Sequence, residues 1–185
     1  DVMTDARDID MNDVEGVTED VSLKKAWHLM RDRGDVTVPV IEQKKLSGII
    51  TIGDIANAYM DVYDNGILSR AKTSYKNILE TLDAQMIVGD EQGYFESGEV
   101  VIATANPDVL EDYIQPGDMV ILGNRYETQL CAIEMGAACV IVTMGATVSK
   151  TIQIFAKEHN CILINTPYDT ATVARLINQS MPIGY

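Results

Sequence analysis

Four short apolar runs, Glu99 to Ala103, Met119 to Leu122, Cys139 to Thr143 and Cys161 to Asn165, constrain the folding of this 185-residue chain most tightly. Helical patterns lie between and after them, at Pro107 to Ile114, Glu127 to Met135, Ser149 to His159 and Thr170 to Ser180. Strict alternation of strand and helix implies right-handed crossovers and a parallel sheet. The runs lack the polar alternation of a half-wet strand, as expected where helices cover both faces. Asn106 followed by Pro107 is a conventional helix start. Open parallel sheets bind ligands at the carboxyl ends of their strands. Three loops stand there: Gly123-Asn124-Arg125, Thr143-Met144-Gly145-Ala146-Thr147 and Asn165 to Thr170. Arg125 suits an anion clamp, with Thr143, Gly145 and the N–H groups near Ser149 beside it. The spacing matches neither Gly-x-Gly-x-x-Gly nor a P-loop, and Thr147, Ser149 and Asp169 serve equally as caps and turns.

The first sixty residues carry a different order. Val21 to Met30 begins with Ser22 as a cap and puts Leu23, Ala26, Trp27 and Met30 on one helical face. Gly34 ends that helix, and Val36 to Ile41 follows as a strand whose Pro39 argues for an edge or a strand end. Gln43-Lys44-Lys45 turns the chain into a strand from Leu46 to Thr51, and Asp54 to Met60 is helical in spacing. With a short strand near Val17, the order is β-α-β-β-α. Thr51 and Asp54 fall where the last strand meets the last helix. A helix N-terminus attracts phosphate, a hydroxyl adds a donor, and a carboxylate accepts from a ribose diol. The same two residues also read as a β-branched strand residue and a helix N-cap.

The β-α-β-β-α order, the phrase Val38-Pro39-Val40-Ile41 and the ending Gly48-x-x-Thr51-x-x-Asp54 resemble a CBS domain, a module that binds adenine nucleotides in tandem pairs. Asp1-Val2-Met3-Thr4 is similar to the phrase with which many such domains open. The resemblance implies a phosphate or ribose contact for Thr51 and ribose hydroxyls for Asp54. It implies an adenine face at Val38, Pro39 and Val40, with Thr18 near it. The stretch from about Ser74 to Tyr185 resembles a DRTGG domain through Gly123-Asn124-Arg125, Val142-Thr143-Met144-Gly145 and Thr166-Pro167-Tyr168-Asp169-Thr170. Asn124 stands where the family's name has Asp, and Met144 where its first glycine is usual. One change removes a charge and the other adds bulk at a loop suited to close approach. The expected architecture is therefore α/β: a small CBS domain over 1–66, then a Rossmann-like parallel-sheet DRTGG domain over 67–185.

Composition sets the outer limits. A net charge of −14 and a pI near 4.3 exclude a nucleic-acid partner, since phosphate backbones would be repelled. No apolar run approaches the ~20 residues of a bilayer span, and the acidic opening is no secretory signal. Cys131, Cys139 and Cys161 lack a Cys-x-x-Cys spacing and read as reduced structural thiols of a cytoplasmic protein. A nucleophilic thiol would need His159, the sole histidine in its half, as base, while His28 beside Trp27 reads as a packing or surface residue.

A CBS domain followed by a DRTGG domain is similar to the regulatory insert of family II, manganese-dependent inorganic pyrophosphatases, in which a second CBS domain follows. The chain reads as a fragment of such an enzyme, starting at Asp1 and stopping about where that second CBS domain would open. The resemblance implies sensing of AMP, ADP, ATP or a diadenosine polyphosphate, with AMP or ADP inhibiting and ATP or the dinucleotides activating. The paired aspartates and histidines of the manganese-binding catalytic region are missing, so no catalytic residue, metal site or resident cofactor is expected here. A CBS domain lacking its partner leaves an apolar face, from which a homodimer is expected. Two alternatives stand beside this: a ligand-free structural dimerisation module, and a DRTGG-containing subunit of a phosphate acetyltransferase-like enzyme.

Overall fold

The computed structural model describes residues 15–55, 65–103 and 107–185. The phrase Asp1 to Thr4, the helix beyond Ile55 and the start signal at Asn106 lie outside them.

Strands β1 (Thr37–Glu42) and β2 (Lys45–Thr51) form an antiparallel hairpin. Gln43 and Lys44 close it with φ of 48° and 63°, the left-handed geometry of a two-residue hairpin turn. The expected strand near Val17 is a single parallel bridge to Val40, in which Val17 N–H donates to Pro39 O at 2.9 Å and Ile41 N–H to Val17 O at 2.7 Å. The helix Leu23–Arg33 covers the inner face of the hairpin. Ser22 caps it by accepting from Lys25 N–H at 3.1 Å, and Gly34 at φ 68° ends it. Leu23, Ala26 and Met30 are buried against Val38, Val40 and Ile50.

The second unit opens with a short helix, Ile67–Arg70, and a two-stranded ladder of β3 (Thr73–Ser74) with β5 (Tyr94–Phe95). Between them run the helix Tyr75–Thr81 and β4 (Gln85–Val88). Strands β6 (Val100–Ile102), β7 (Met119–Leu122), β8 (Cys139–Val142) and β9 (Ile162–Asn165) are mutually parallel, and β4 joins β9 antiparallel in the order β4-β9-β8-β7-β6. The alternation of strand and helix accounts for the four parallel members. It says nothing of β4, a three-residue apolar run pinned between left-handed Asp83 (φ 48°) and Gly89 (φ 121°). Two helices are shorter than their patterns. One spans Pro107–Leu110, with Ile114 still buried, and the other spans Thr170–Leu176 before tightening into a 3-10 turn, Ile177–Ser180.

Side chains alternate across the sheet into two cores. Val120, Leu122, Val140, Val142 and Leu163 pack under Ile133 of the helix Tyr126–Glu134 and Ile152 of the helix Lys150–Glu158. Met119, Ile121, Cys139, Ile141 and Ile164 face the other way, toward Tyr75, Ile78, Leu82, Val173 and Ile177. That second core continues without a break into Leu23, Met30, Val38 and Ile67. The boundary between the two sequence patterns is therefore not a boundary between cores.

Gly98 holds the entry to β6. Its φ is 72°, and an added Cβ would lie 2.4 Å from Gly117 O. Gly98→Ala should lower the unfolding free energy by roughly 2–4 kcal/mol, read as a reduced urea midpoint with an unchanged slope.

Candidate functional site

Thr51 ends β2, and residues 52–55 are helical. The two candidate ligand residues bond to one another across this junction. Asp54 Oδ2 accepts from both the backbone N–H and the hydroxyl of Thr51, each at 2.8 Å, and Asp54 N–H donates to Thr51 Oγ1 at 3.2 Å. This is a capping box, with Thr51 as the cap and Asp54 as the returning carboxylate. The reading of Asp54 as the N-cap is corrected accordingly: the cap lies three residues earlier. The Thr51 backbone N–H, and after it the hydroxyl, hold the Asp54 carboxyl below its usual range. Both bonds end on Oδ2, so the rest of the carboxylate's acceptor capacity suits a ligand diol.

Asp54 stands at the rim of a cleft of about 540 Å³. Val40 and residues 47–50 form the hairpin side of it, Glu19, Leu23 and Ile67 further edges, and residues 181–185 another wall. Of the expected adenine face, Val40 reaches this cleft. Val38 is fully buried beneath the hairpin, and Pro39 points from the other side of β1. Thr18 lies apart, its hydroxyl donating to Asp20 Oδ1, in a separate depression with Lys25, Lys76 and Asn77. Residues 181–185 were not readable as site residues, because their place depends on pairing with residues 19–23, about 160 positions away in the chain. A larger hollow, about 700 Å³, lies between β4 and the helix Lys150–Glu158 and is lined by Ile87, Ile154, Ile162 and Lys157. It has apolar walls but no paired carboxylate and hydroxyl.

The loops at the carboxyl ends of the sheet turn inward on one another. Thr143 is buried, with its hydroxyl 3.1 Å from Leu122 O and 3.4 Å from Thr170 Oγ1. Met144 N–H donates to Tyr168 O at 2.7 Å and Gly145 N–H to Thr166 O at 2.8 Å. Amides that would cradle an anion are thus bonded to the neighbouring loop, while Arg125 sits exposed at the start of the helix Tyr126–Glu134.

Nucleophilic chemistry finds no support among the thiols. Burial pushes Cys161 up to about 12 and Cys139 well above its usual value, and it raises Cys131 as well, with Glu111 and Glu134 adding to the effect. Among the described residues no group of three or more His, Cys, Asp or Glu could hold a metal ion, and no helix is long and apolar enough to cross a membrane.

The DRTGG domain family matches residues 77–180, and the CBS domain family matches residues 6–61. A cobalt-dependent inorganic pyrophosphatase of Clostridium perfringens is 38% identical over 179 residues, which cover 96% of this chain and 33% of that protein. A probable manganese-dependent inorganic pyrophosphatase of Thermotoga maritima is 31% identical over 176 residues, 95% of this chain and 32% of that protein. The chain thus spans about a third of the length of these curated relatives. Among solved structures, the CBS and DRTGG domains of the regulatory region of Clostridium perfringens pyrophosphatase match with a TM-score of 0.92 and 38% identity. The match covers 99% of this chain and 80% of the other, which was complexed with its activator, diadenosine tetraphosphate.

Two measurements check the site. The lowered Asp54 value means that its stabilising bonds are in force above the unfolded pKa and are lost as pH falls through the folded one. Carboxyl carbon-13 titration should place Asp54 below the ordinary 3.8, and Thr51→Ala should move it part of the way back up. Thiol titration at pH 8 should find at most one slowly reacting cysteine in the native chain and all three after denaturation.

Proposed function

The chain belongs to the DRTGG-domain family, and we propose that it is the adenine-nucleotide-sensing regulatory region of an inorganic pyrophosphatase, with the cleft at Asp54 as its ligand site. The observation that carries this is the Thr51–Asp54 capping box at the rim of a nucleotide-sized cleft. It sits in a fold close to that of a regulatory region complexed with diadenosine tetraphosphate. Asp54 accepts from the ribose hydroxyls, and Thr51, whose own hydroxyl donates to Asp54 Oδ2, holds that carboxylate in place beside the ribose. Val40, Ile50 and the 181–185 wall give the base an apolar bed. Pro39, on the opposite face of β1, and Val38, buried beneath the hairpin, support this bed through the strand that carries Val40.

AMP, ADP, ATP and diadenosine polyphosphates are the ligand class. Hydrolysis belongs to the rest of the parent enzyme, where the metal named for the relatives would act, and the described residues offer no ligand set for it. Ligands that prefer one arrangement of the two units shift the parent's activity by the usual ~1–3 kcal/mol of coupling. Three thiols, none in a disulfide, agree with a cytoplasmic setting. The relatives' name as pyrophosphatases favours this reading over an acetyltransferase subunit.

On and beside the hairpin Val36 (65%), Leu46 (65%), Ile49 (60%) and Ile52 (41%) are exposed, Ile49 also lining the cleft. These suit pairing with a second CBS unit or a second copy. Light scattering at tens of micromolar should give twice the 20.3 kDa chain mass; a monomer alone rejects the homodimer. Calorimetric titration with AMP, ADP, ATP and diadenosine tetraphosphate should show binding that Thr51→Ala and Asp54→Ala each weaken by about tenfold or more. Equal binding by wild type and variants refutes the assigned site.

A further inference from the structure

Residues 181–185 run as a strap along residues 19–23. Met181 O accepts from Leu23 N–H at 3.0 Å, Ile183 N–H donates to Val21 O at 3.2 Å, and Gly184 N–H donates to Glu19 O at 3.1 Å. Pro182 and Ser22 form an antiparallel bridge between them. Met181 is buried in the core that also holds Leu23 and Ile67. At Gly184 the contact is so close that an added Cβ would lie 3.0 Å from Glu19 Cβ and 3.1 Å from Glu19 O. The strap supplies five of the fourteen described residues that line the Asp54 cleft. It follows directly on the 3-10 turn Ile177–Ser180, which packs on the helices Tyr75–Thr81 and Thr170–Leu176. That last helix starts at Asp169, just beyond β9, where Thr170 meets Thr143 of the neighbouring loop.

We propose that this strap is the moving wall of the nucleotide cleft, and that it transmits occupancy of the cleft to the DRTGG sheet. The inference rests on the reading of the cleft as an adenine-nucleotide site. Ile183 and Tyr185 give the cleft that Asp54 lines an apolar and aromatic surface, so a nucleoside held at its ribose by Asp54 lays its base against the strap. Closing on the base strengthens the pairing with residues 19–23, and that pairing sets the position of the 3-10 turn and of the helix behind it. Loss of the base lets the strap amides open. The strap is joined to the helix Thr170–Leu176 by the four residues of the tight turn Ile177–Ser180, and that helix is tied back to the sheet where Thr170 meets Thr143, so a shift of the strap is passed on through the turn and the helix. Ile183 and Gly184 are positioning residues in this scheme.

The test is amide hydrogen exchange with and without diadenosine tetraphosphate, together with calorimetric titration of Gly184→Val, Ile183→Ala and Asp54→Ala. Ligand should slow exchange at the Ile183 and Gly184 amides and at the 177–180 turn. Gly184→Val should weaken binding about tenfold and abolish the slowing at the 177–180 turn. Ile183→Ala leaves the strap backbone its room and, should Gly184→Val fail to fold, carries the same expectation of weakened binding. Wild-type affinity in the strap variants with unchanged exchange, while Asp54→Ala loses binding, overturns the strap and leaves the cleft standing. Failure of wild type to bind, or equal binding by Asp54→Ala, overturns the cleft assignment and the strap with it.

Discussion

The inner faces of β7 and β8 need a cover, and much of this structure follows from what supplies it. Met119, Ile121, Cys139 and Ile141 are completely buried, yet the helices Tyr126–Glu134 and Lys150–Glu158 lie over the residues that point the other way. The cover comes from the helix Tyr75–Thr81, the chain around Val173 and Ile177, and, continuous with these, the CBS helix and hairpin. Burying an apolar side chain of this size contributes about 1.5–3 kcal/mol, so a shared core of such residues ties the two units more firmly than a linker would. A unit fused in this way cannot turn freely on the sheet, and the regulation proposed above requires such coupling through packing.

The Thr51–Asp54 pair shows how one local device serves two ends. The capping box satisfies N–H groups that the start of a helix leaves open. The same bonds fix the carboxylate at the rim of the cleft and keep it ionised, ready to accept from a diol. Asp54 and Glu19 together make the rim anionic, which accords with ribose rather than phosphate at this end of the cleft. On the proposed reading, a strongly acidic chain holds an anionic nucleotide through its sugar and base, with the repulsion of its −14 net charge softened by salt.

Much of this was legible in the sequence where the signal is local. Ser22 and Gly34 bound the first helix as their chemistry requires, and Ser149 and Asp169 cap theirs by accepting from Ile152 and Thr172 N–H. The apolar runs became the four parallel strands, and Gly48-x-x-Thr51-x-x-Asp54 marked the junction where the cleft lies. Less legible were features that compete with a stronger local pattern. The antiparallel β4 is too short to show a period. The glycine loop at Gly145 reads as an anion cradle until Thr166 O is seen to occupy its amide.

By itself the sequence determined the order of elements, their caps, the two sequence patterns and the resemblance to nucleotide-sensing domains. All of these depend on residues within a few positions of one another, where hydrogen bonding and side-chain periodicity act directly. Tertiary structure alone decided that Val38 is buried beneath the hairpin, that Thr18 lines a different depression, and that residues 181–185 line the cleft. Those outcomes depend on which apolar faces meet and on backbone pairing across about 160 residues. Contacts at that separation are fixed by closing a long loop and filling a common core, and no local pattern in the chain records them.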